Sequence, residues 1–223
     1  MVFKIGAFCV MAFLVGGIPF GYLVGGAVLK DDIRKHGSGN IGATNVTRLL
    51  GWKWGVFVLF LDALKGLLPT LTTKLFLQDG ANPELLNLGV ILAGISCIVG
   101  HIYPIWLRLK GGKGVATSLG VILVIAPLAS GIALATFLLV FAATRIVGLA
   151  SVVSVTAFSV AQLVLMGNTA LMVEHLPMTL FSTIIPALIV WKHRSNIVRM
   201  LRGDEQKMGA TSKGADERQD SVE

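Results

Sequence analysis

Long apolar runs separated by short polar segments make up most of this chain. The runs lie at about 5–29, 54–77, 85–106, 112–128, 129–145, 147–166 and 177–191. Each is near the ~17–25 residues that a helix needs to cross a bilayer. Backbone groups in lipid must pair within their own segment, so such runs cross as helices. We therefore predict an all-α integral membrane protein, a class that the mean hydropathy of +0.79 supports.

The number of crossings depends on residues 115–143. This stretch is compatible with one long helix, or with two short helices separated at Pro127, because proline removes a helix hydrogen bond. Only the double crossing places Arg145 and the basic residues after 192 on the same face as Arg48 and Lys113, as the positive-inside bias requires. We predict seven transmembrane helices, with the amino terminus outside and the carboxyl terminus in the cytoplasm.

The chain is predicted to hold a single membrane domain over residues 1–205. Residues 206–223 are small, polar and mixed in charge, and predict a disordered cytoplasmic tail. The net charge of +7 comes largely from cations beside the spans. Orientation and anionic headgroups explain these cations, so we expect membrane lipid and no nucleic acid as a partner.

Two polar segments between the spans are rich in groups that bind phosphate. In Gly111-Gly112-Lys113-Gly114 the glycines allow several backbone N–H groups to approach one anion, and the lysine adds a charge. A helix start follows this turn and adds its positive end. The earlier loop carries small hydrogen-bonding residues before Arg48.

Under the predicted topology, four segments bring hydrogen-bond donors to one cytoplasmic surface. The candidates are Ser38, Asn40, Thr44, Asn45, Arg48, Gly111, Gly112, Lys113, Gly114, Ser151, His193 and Asn196. Cations and neutral donors with few carboxylates suit phosphate oxygens. The same donors are compatible with a transporter of a phosphorylated solute, or with a lipid-binding scaffold that has no activity.

Two charged residues lie inside the second apolar run. Asp62 and Lys65 are three positions apart, so they share a helix face and can neutralise each other. A central charge costs roughly 2.5–3.5 kcal/mol on the insertion scale. We predict a structural ion pair that faces the bundle interior and holds this span in register.

The sequence lacks the residue patterns of several kinds of catalytic or metal site. No histidine is followed five positions later by an aspartate, which excludes the His-x-x-x-x-Asp dyad of common glycerolipid acyltransferases. The predicted cytoplasmic face offers little carboxylate beyond Asp31, Asp32, Asp204 and Glu205, too little to predict a Mg²⁺ site. We predict neither a metal nor a cofactor.

Three ordered segments resemble the motifs of the bacterial acyl-phosphate:glycerol-3-phosphate acyltransferases, the PlsY-type family. They are Gly37 to Arg48, then Gly100-His101 through Gly111-Gly112-Lys113-Gly114-Val115-Ala116-Thr117, and His193-Arg194-Ser195-Asn196-Ile197 through Gly203-Asp204-Glu205. The spacing Asp62-x-x-Lys65-Gly66 also matches. One departure is Gly148, where the family often has a serine; here Ser151 and Ser154 follow further along.

The resemblance implies transfer of a fatty acyl group from acyl phosphate to the 1-hydroxyl of glycerol 3-phosphate, at the cytoplasmic face of a bacterial inner membrane. It implies contact with the enzyme that supplies acyl phosphate. By position, the catalytic residues would be Ser38, Arg48, Lys113, His193 and Asn196. Substrate would also contact Asn40, Thr44, Asn45, Gly111, Gly112, Gly114 and Ser151, with Glu205 structural.

We expect the glycerol hydroxyl to attack the mixed anhydride directly, without an acyl-enzyme. A carboxylate base beside two phosphates would suffer like-charge repulsion, so a substrate phosphate is expected to take the proton.

Overall fold

The computed structural model describes residues 1–79 and 82–209, and the regular elements within them are all helical. The α-helices are α1 (Val2–Gly16), α2 (Phe20–Leu29), α3 (Ala43–Leu50), α4 (Trp52–Leu77), α5 (Pro83–Ile102), α6 (Val115–Ile125), α7 (Pro127–Thr144), α8 (Val147–Met166), α9 (Leu176–Lys192) and α10 (Arg194–Leu201). Short 3₁₀ turns lie between some of them.

Within residues 1–79 and 82–209, six segments are long and apolar enough to cross a membrane, which makes the chain a multi-pass integral membrane protein. They are Val2–Leu29, Trp52–Leu77, Pro83–Leu107, Pro127–Thr144, Val147–Thr169 and Val173–Lys192. The run expected at 112–128 instead gives the short helix α6, which at ~1.5 Å per residue covers only about half of the hydrocarbon thickness. It is shorter than expected because Gly111 and Gly112 pack against the end of α5.

Residues 115–143 do not form one long helix. Ala126 has φ −143° and ψ 66°, which ends α6, and Pro127 is the first residue of α7. Proline is well placed there because the first helical N–H has no partner within the helix. The sequence alternative of two helices divided at Pro127 is therefore the one observed.

Small residues bring the central helices close together. A side chain at Gly16 would overlap the backbone of Cys97 where α1 packs on α5. Gly66 meets the backbone of Thr117 in the same way where α4 packs on α6. Close approach of this kind favours helix association in lipid, where apolar burial gives no driving force.

The predicted ion pair between Asp62 and Lys65 is present and buried. Lys65 Nζ lies 2.8 Å from Asp62 Oδ1, and the two side chains are 3% and 4% exposed. Lys65 Nζ also donates to the carbonyl of Ile18 at 2.6 Å, in the break between α1 and α2. The pair therefore joins α4 to the first span.

The chain after α10 returns across one end of the bundle. Met208 is buried, and its N–H donates to the carbonyl of Arg145 at 2.8 Å. The packed part of the chain thus continues past position 205, where the polar tail was expected to begin. Residues 210–223 of that tail lie outside the described residues.

Candidate active site

A polar cavity lies at the end of the bundle where α2, α5 and α9 finish. The predicted donors that line it are Ser38, Asn40, Thr44, Asn45, Arg48, Lys113, Gly114, Ser151, His193 and Asn196. They come from the loop before α3 and α3 itself, from the turn before α6, from the start of α8, and from the turn between α9 and α10 with the first turn of α10. The structure therefore brings the four segments together.

Three helices direct their amino termini at this cavity. First-turn residues of α3 (Ala43), α6 (Val115) and α8 (Val147) line it, and these helices begin without a side-chain cap. The first N–H groups of a helix lack partners within it and lie at the positive end of its dipole. Their convergence favours an anionic ligand.

Gly111 and Gly112 do not line the cavity, which corrects their expected role as phosphate-binding residues. The N–H of Gly111 donates to the carbonyl of Ile102 at 3.2 Å, and that of Gly112 donates to the carbonyl of His101 at 3.1 Å. A Cβ at either glycine would overlap His101. Their small size lets the loop close over the end of α5, and Gly114 and the start of α6 provide the backbone donors.

Asn45 lines the cavity, and its amide is engaged within the loop. Its Oδ1 accepts the N–H of Ser38 at 2.9 Å, and its Nδ2 donates to the carbonyls of Asn40 at 2.9 Å and His36 at 3.1 Å. The residue is 1% exposed. It fixes the shape of the loop that carries Ser38 and Asn40.

A hydrogen-bonded chain orients Lys113 and Asn196. Lys113 Nζ donates to Asn196 Oδ1, and Asn196 Nδ2 donates to Glu205 Oε1 at 2.7 Å. The other oxygen of Glu205 accepts from Arg199 Nε at 2.6 Å. Glu205 is buried and connects α10 to the cavity wall.

Arg48 is held at the mouth of the cavity by the segment after α10. Its Nη2 donates to the carbonyl of Gln206 at 3.0 Å and lies 3.9 Å from Glu205 Oε1. Its Nε is buried and has no hydrogen-bond partner within the described part of the chain. The guanidinium as a whole lines the cavity.

Lys113 and His193 have different charges at neutral pH. The pKa of Lys113 is lowered to about 8, mainly by burial and next by the nearby charge of Arg199. The ammonium is therefore mostly retained at pH 7. Burial, followed by the charge of Lys113, lowers the pKa of His193 to about 4. His193 Nδ1 lies 2.8 Å from the carbonyl of Ile189. The neutral ring therefore donates there and leaves Nε2 as an acceptor.

The cavity also contains groups that the sequence did not indicate as lining residues. Asp62, His101 and Glu205 line it, so the set is richer in carboxylates than expected. Gly148 lines it too, and a Cβ there would lie 3.0 Å from Asn196 Nδ2, which leaves little room for a serine. The position of His101 beside the second motif was the available signal for that residue.

An apolar groove continues from the polar cavity. It lies between α6, α7, α8 and α9, with Ala133, Phe158 and Ile185 among its walls. Leu59, Val115, Ala116 and Phe137 line both the groove and the cavity. A ligand with a charged end and a long apolar part would fit across this junction.

This fold and site define a multi-pass membrane protein in which a cationic cavity opens onto an apolar groove. Residues 6–203 match the family model for glycerol-3-phosphate acyltransferase. The chain belongs to the glycerol-3-phosphate acyltransferase family.

Relatives of this family cover nearly the whole chain. A glycerol-3-phosphate acyltransferase of Myxococcus xanthus is 40% identical over 90% of this chain and 98% of its own length. A second relative, from Anaeromyxobacter dehalogenans (strain 2CP-C), is 42% identical over 92% of this chain and 98% of its own length.

Solved structures show the same fold. The crystal structure of PlsY, an integral membrane glycerol 3-phosphate acyltransferase, in its glycerol 3-phosphate form has a TM-score of 0.80 and 35% identity, covering 92% of this chain and 96% of its own. The lysophosphatidic acid form has a TM-score of 0.77.

Proposed function

We propose that this protein transfers a fatty acyl group from acyl phosphate to the 1-hydroxyl of glycerol 3-phosphate, giving lysophosphatidic acid and inorganic phosphate. The observation that carries the proposal is the junction between the cationic cavity and the apolar groove. Membership of the glycerol-3-phosphate acyltransferase family supports the acceptor. The glycerol 3-phosphate form and the lysophosphatidic acid form of PlsY support an acceptor and a product of this kind.

In this proposal the phosphate groups bind to Arg48, Lys113 and the amino termini of α3, α6 and α8. These groups provide positive charge and N–H donors around one cavity. Ser38 and Thr44 add hydroxyls to its wall, and neutral His193 Nε2 can accept a hydrogen bond from a substrate hydroxyl.

The acyl chain would lie in the groove, so that the carbonyl reaches the shared wall at Val115 and Ala116. There the oxygen of the 1-hydroxyl forms the new ester bond with the carbonyl carbon. The bond between that carbon and the bridging oxygen breaks, phosphate leaves with the electron pair, and the hydroxyl proton goes to a phosphate oxygen. Positioned donors stabilise the developing oxyanion.

Two observations support direct transfer rather than a reaction through an acyl-enzyme. Ser151 Oγ donates to the carbonyl of Val147 at 2.8 Å, and no serine hydroxyl bonds to an imidazole among the described residues. Each lining carboxylate already has a cation, Lys65 beside Asp62 and Arg199 beside Glu205, so neither is a free base. A substrate phosphate remains the proton acceptor in the proposal.

We further propose seven crossings, with the cavity on the cytoplasmic side of a bacterial inner membrane. Gly114, before α6, and Gly148, after α7, line the same cavity, so the chain between them leaves this end of the bundle and returns to it. The basic residues Arg48, Lys113, Arg145 and Arg194 also lie near this end. The positive-inside bias then supports an outside amino terminus and a cytoplasmic carboxyl terminus.

A donor comparison with purified protein in lipid tests the proposal. Acyl phosphate with glycerol 3-phosphate should release phosphate and form lysophosphatidic acid, whereas acyl-CoA and acyl carrier protein should not serve as donors. Uptake of a phosphorylated solute into vesicles without consumption of the donor would favour a transporter. A stable acyl-protein adduct formed during turnover would contradict direct transfer.

A further inference from the structure

The deep end of the cavity is formed by two buried side chains that the proposed reaction does not use. Asp62 and His101 line the cavity and are 3% and 5% exposed. His101 Nδ1 lies 3.8 Å from Asp62 Oδ1. His101 Nδ1 has no hydrogen-bond partner among the described residues, whereas Asp62 Oδ1 lies 2.8 Å from Lys65 Nζ and is paired with that ammonium.

The geometry of this pair suits a hydroxyl group. A separation of 3.8 Å is too long for a direct hydrogen bond, yet one oxygen atom can lie about 2.8 Å from both groups. A hydroxyl can donate to the carboxylate and accept from an imidazole N–H at the same time. Arg48 and Lys113 supply the positive charge elsewhere in the cavity wall, so the phosphate is assigned to them.

The surroundings hold both side chains in place. Lys65 is bound to the carbonyl of Ile18 at 2.6 Å, and Cys97 Sγ donates to the backbone carbonyl of Lys65 at 3.0 Å. Gly112 lies directly against His101 Nε2, where a larger residue would overlap the ring. An ordered pair of this kind can discriminate between ligands because it has no room to adapt.

The two hydroxyls of glycerol 3-phosphate have different requirements. The 1-hydroxyl must meet the acyl carbonyl, where Leu59, Val115 and Phe137 join the cavity to the groove. Asp62 and His101 line the cavity but not the groove. The deep pair is therefore placed for the hydroxyl that does not react.

We propose that Asp62 and His101 bind the 2-hydroxyl of the acceptor and so select glycerol 3-phosphate over phosphorylated alcohols that lack it. This inference rests on the proposed function. It makes His101 and Asp62 specificity-determining residues.

The test compares glycerol 3-phosphate with 3-hydroxypropyl phosphate, which keeps the phosphate and the reactive primary hydroxyl but lacks the 2-hydroxyl. Purified wild-type protein with saturating acyl phosphate should prefer glycerol 3-phosphate by at least about 100-fold in kcat/KM. The analogue binds less well because it leaves the buried polar groups of Asp62 and His101 without a hydroxyl partner. In His101→Leu the ratio should fall to within about tenfold, through loss of activity on glycerol 3-phosphate alone.

The matched control is His175→Leu, at the opposite end of the bundle, which should leave the ratio unchanged. His101→Asn, which retains a polar group near the Nδ1 position, should recover part of the preference. Asp62→Asn gives a second variant if His101→Leu does not fold.

Two results would overturn the inference. One is wild-type protein that uses both acceptors equally well. The other is a folded His101→Leu that loses activity on both acceptors by the same factor, which would make the residue structural. Absence of any acyl transfer by the wild type would instead refute the proposed function.

Discussion

Lys113 is the cation whose charge is most sensitive to pH in this cavity. Its pKa, lowered to about 8 chiefly by burial, lies within the range of ordinary assays. His193, with a pKa of about 4, stays neutral throughout that range. The pH dependence of substrate binding above neutrality should therefore report on Lys113.

We expect the KM for glycerol 3-phosphate to rise by about tenfold per pH unit above ~8 as the ammonium is lost. The substrate phosphate, with a second pKa of ~6, is already dianionic there and adds no slope. Lys113→Arg should flatten this rise, because a guanidinium stays charged to about pH 12. KM measured from pH 7 to 9.5, with acyl phosphate hydrolysis followed without enzyme, checks this. An identical slope in Lys113→Arg would contradict the assignment.

Residue types in the sequence identified most of the residues that line the cavity. They did not show which polar atoms of those residues are already hydrogen-bonded within the protein. Arg48, Lys113 and Asn196 were predicted because phosphate sites need such donors, and they lie together. The N–H of Gly112 and the amide of Asn45 donate to backbone carbonyls that only the folded chain brings near. For His101 the available signal was its place in the second motif, because residue type alone does not separate a packed histidine from one that lines a cavity.

Helix α4 depends on the charged pair in its interior. Lys65→Met would leave the carboxylate of Asp62 buried without its cation and would remove the bond to Ile18. We expect a loss of about 3–5 kcal/mol, which Asp62→Asn in the same chain should partly restore. Thermal unfolding in detergent measures both.

The control is Lys74→Met, on the same helix at an exposed position, which should change little. Equal stability of Lys65→Met and Lys74→Met would show that the buried pair contributes nothing to the fold.

Helices α7 and α9 form facing walls of the groove, and Ala133 is buried on the α7 side. Ala133→Trp should fill this space and shift the preferred donor toward shorter acyl chains, with the KM for glycerol 3-phosphate little changed. Turnover of a series of acyl phosphates measures the shift. Ala135→Trp, exposed on the same helix, is the control and should leave the preference unaltered.

Element boundaries were less predictable than the elements themselves. Apolar runs indicated every long helix, because burial in lipid requires them. The division at Pro127 was predicted, but the start of α6 at Val115 was not, since it depends on Gly111 and Gly112 packing on the end of α5. The groove depends on how four helices pack, and none of their separate sequences reveals it.

The proposed topology of the complete chain can be tested by labelling intact cells. In a chain with Cys9→Ser and Cys97→Ser, Glu174→Cys should react with an impermeant maleimide from outside, because it lies near the end of the bundle opposite the cavity. Arg145→Cys should react only after permeabilisation. Both positions are exposed. Reaction of both from the same side would refute the orientation.

The bond between Lys65 and Ile18 constrains how this chain can change over evolutionary time. One ammonium satisfies both a carboxylate on α4 and a carbonyl in the break of the first span. A lineage that replaced Lys65 first would pass through a destabilised ancestor, whatever it altered later. Positions 62 and 65 are therefore expected to diverge together, by near-simultaneous substitutions, whereas position 18 can vary because it contributes only its backbone carbonyl.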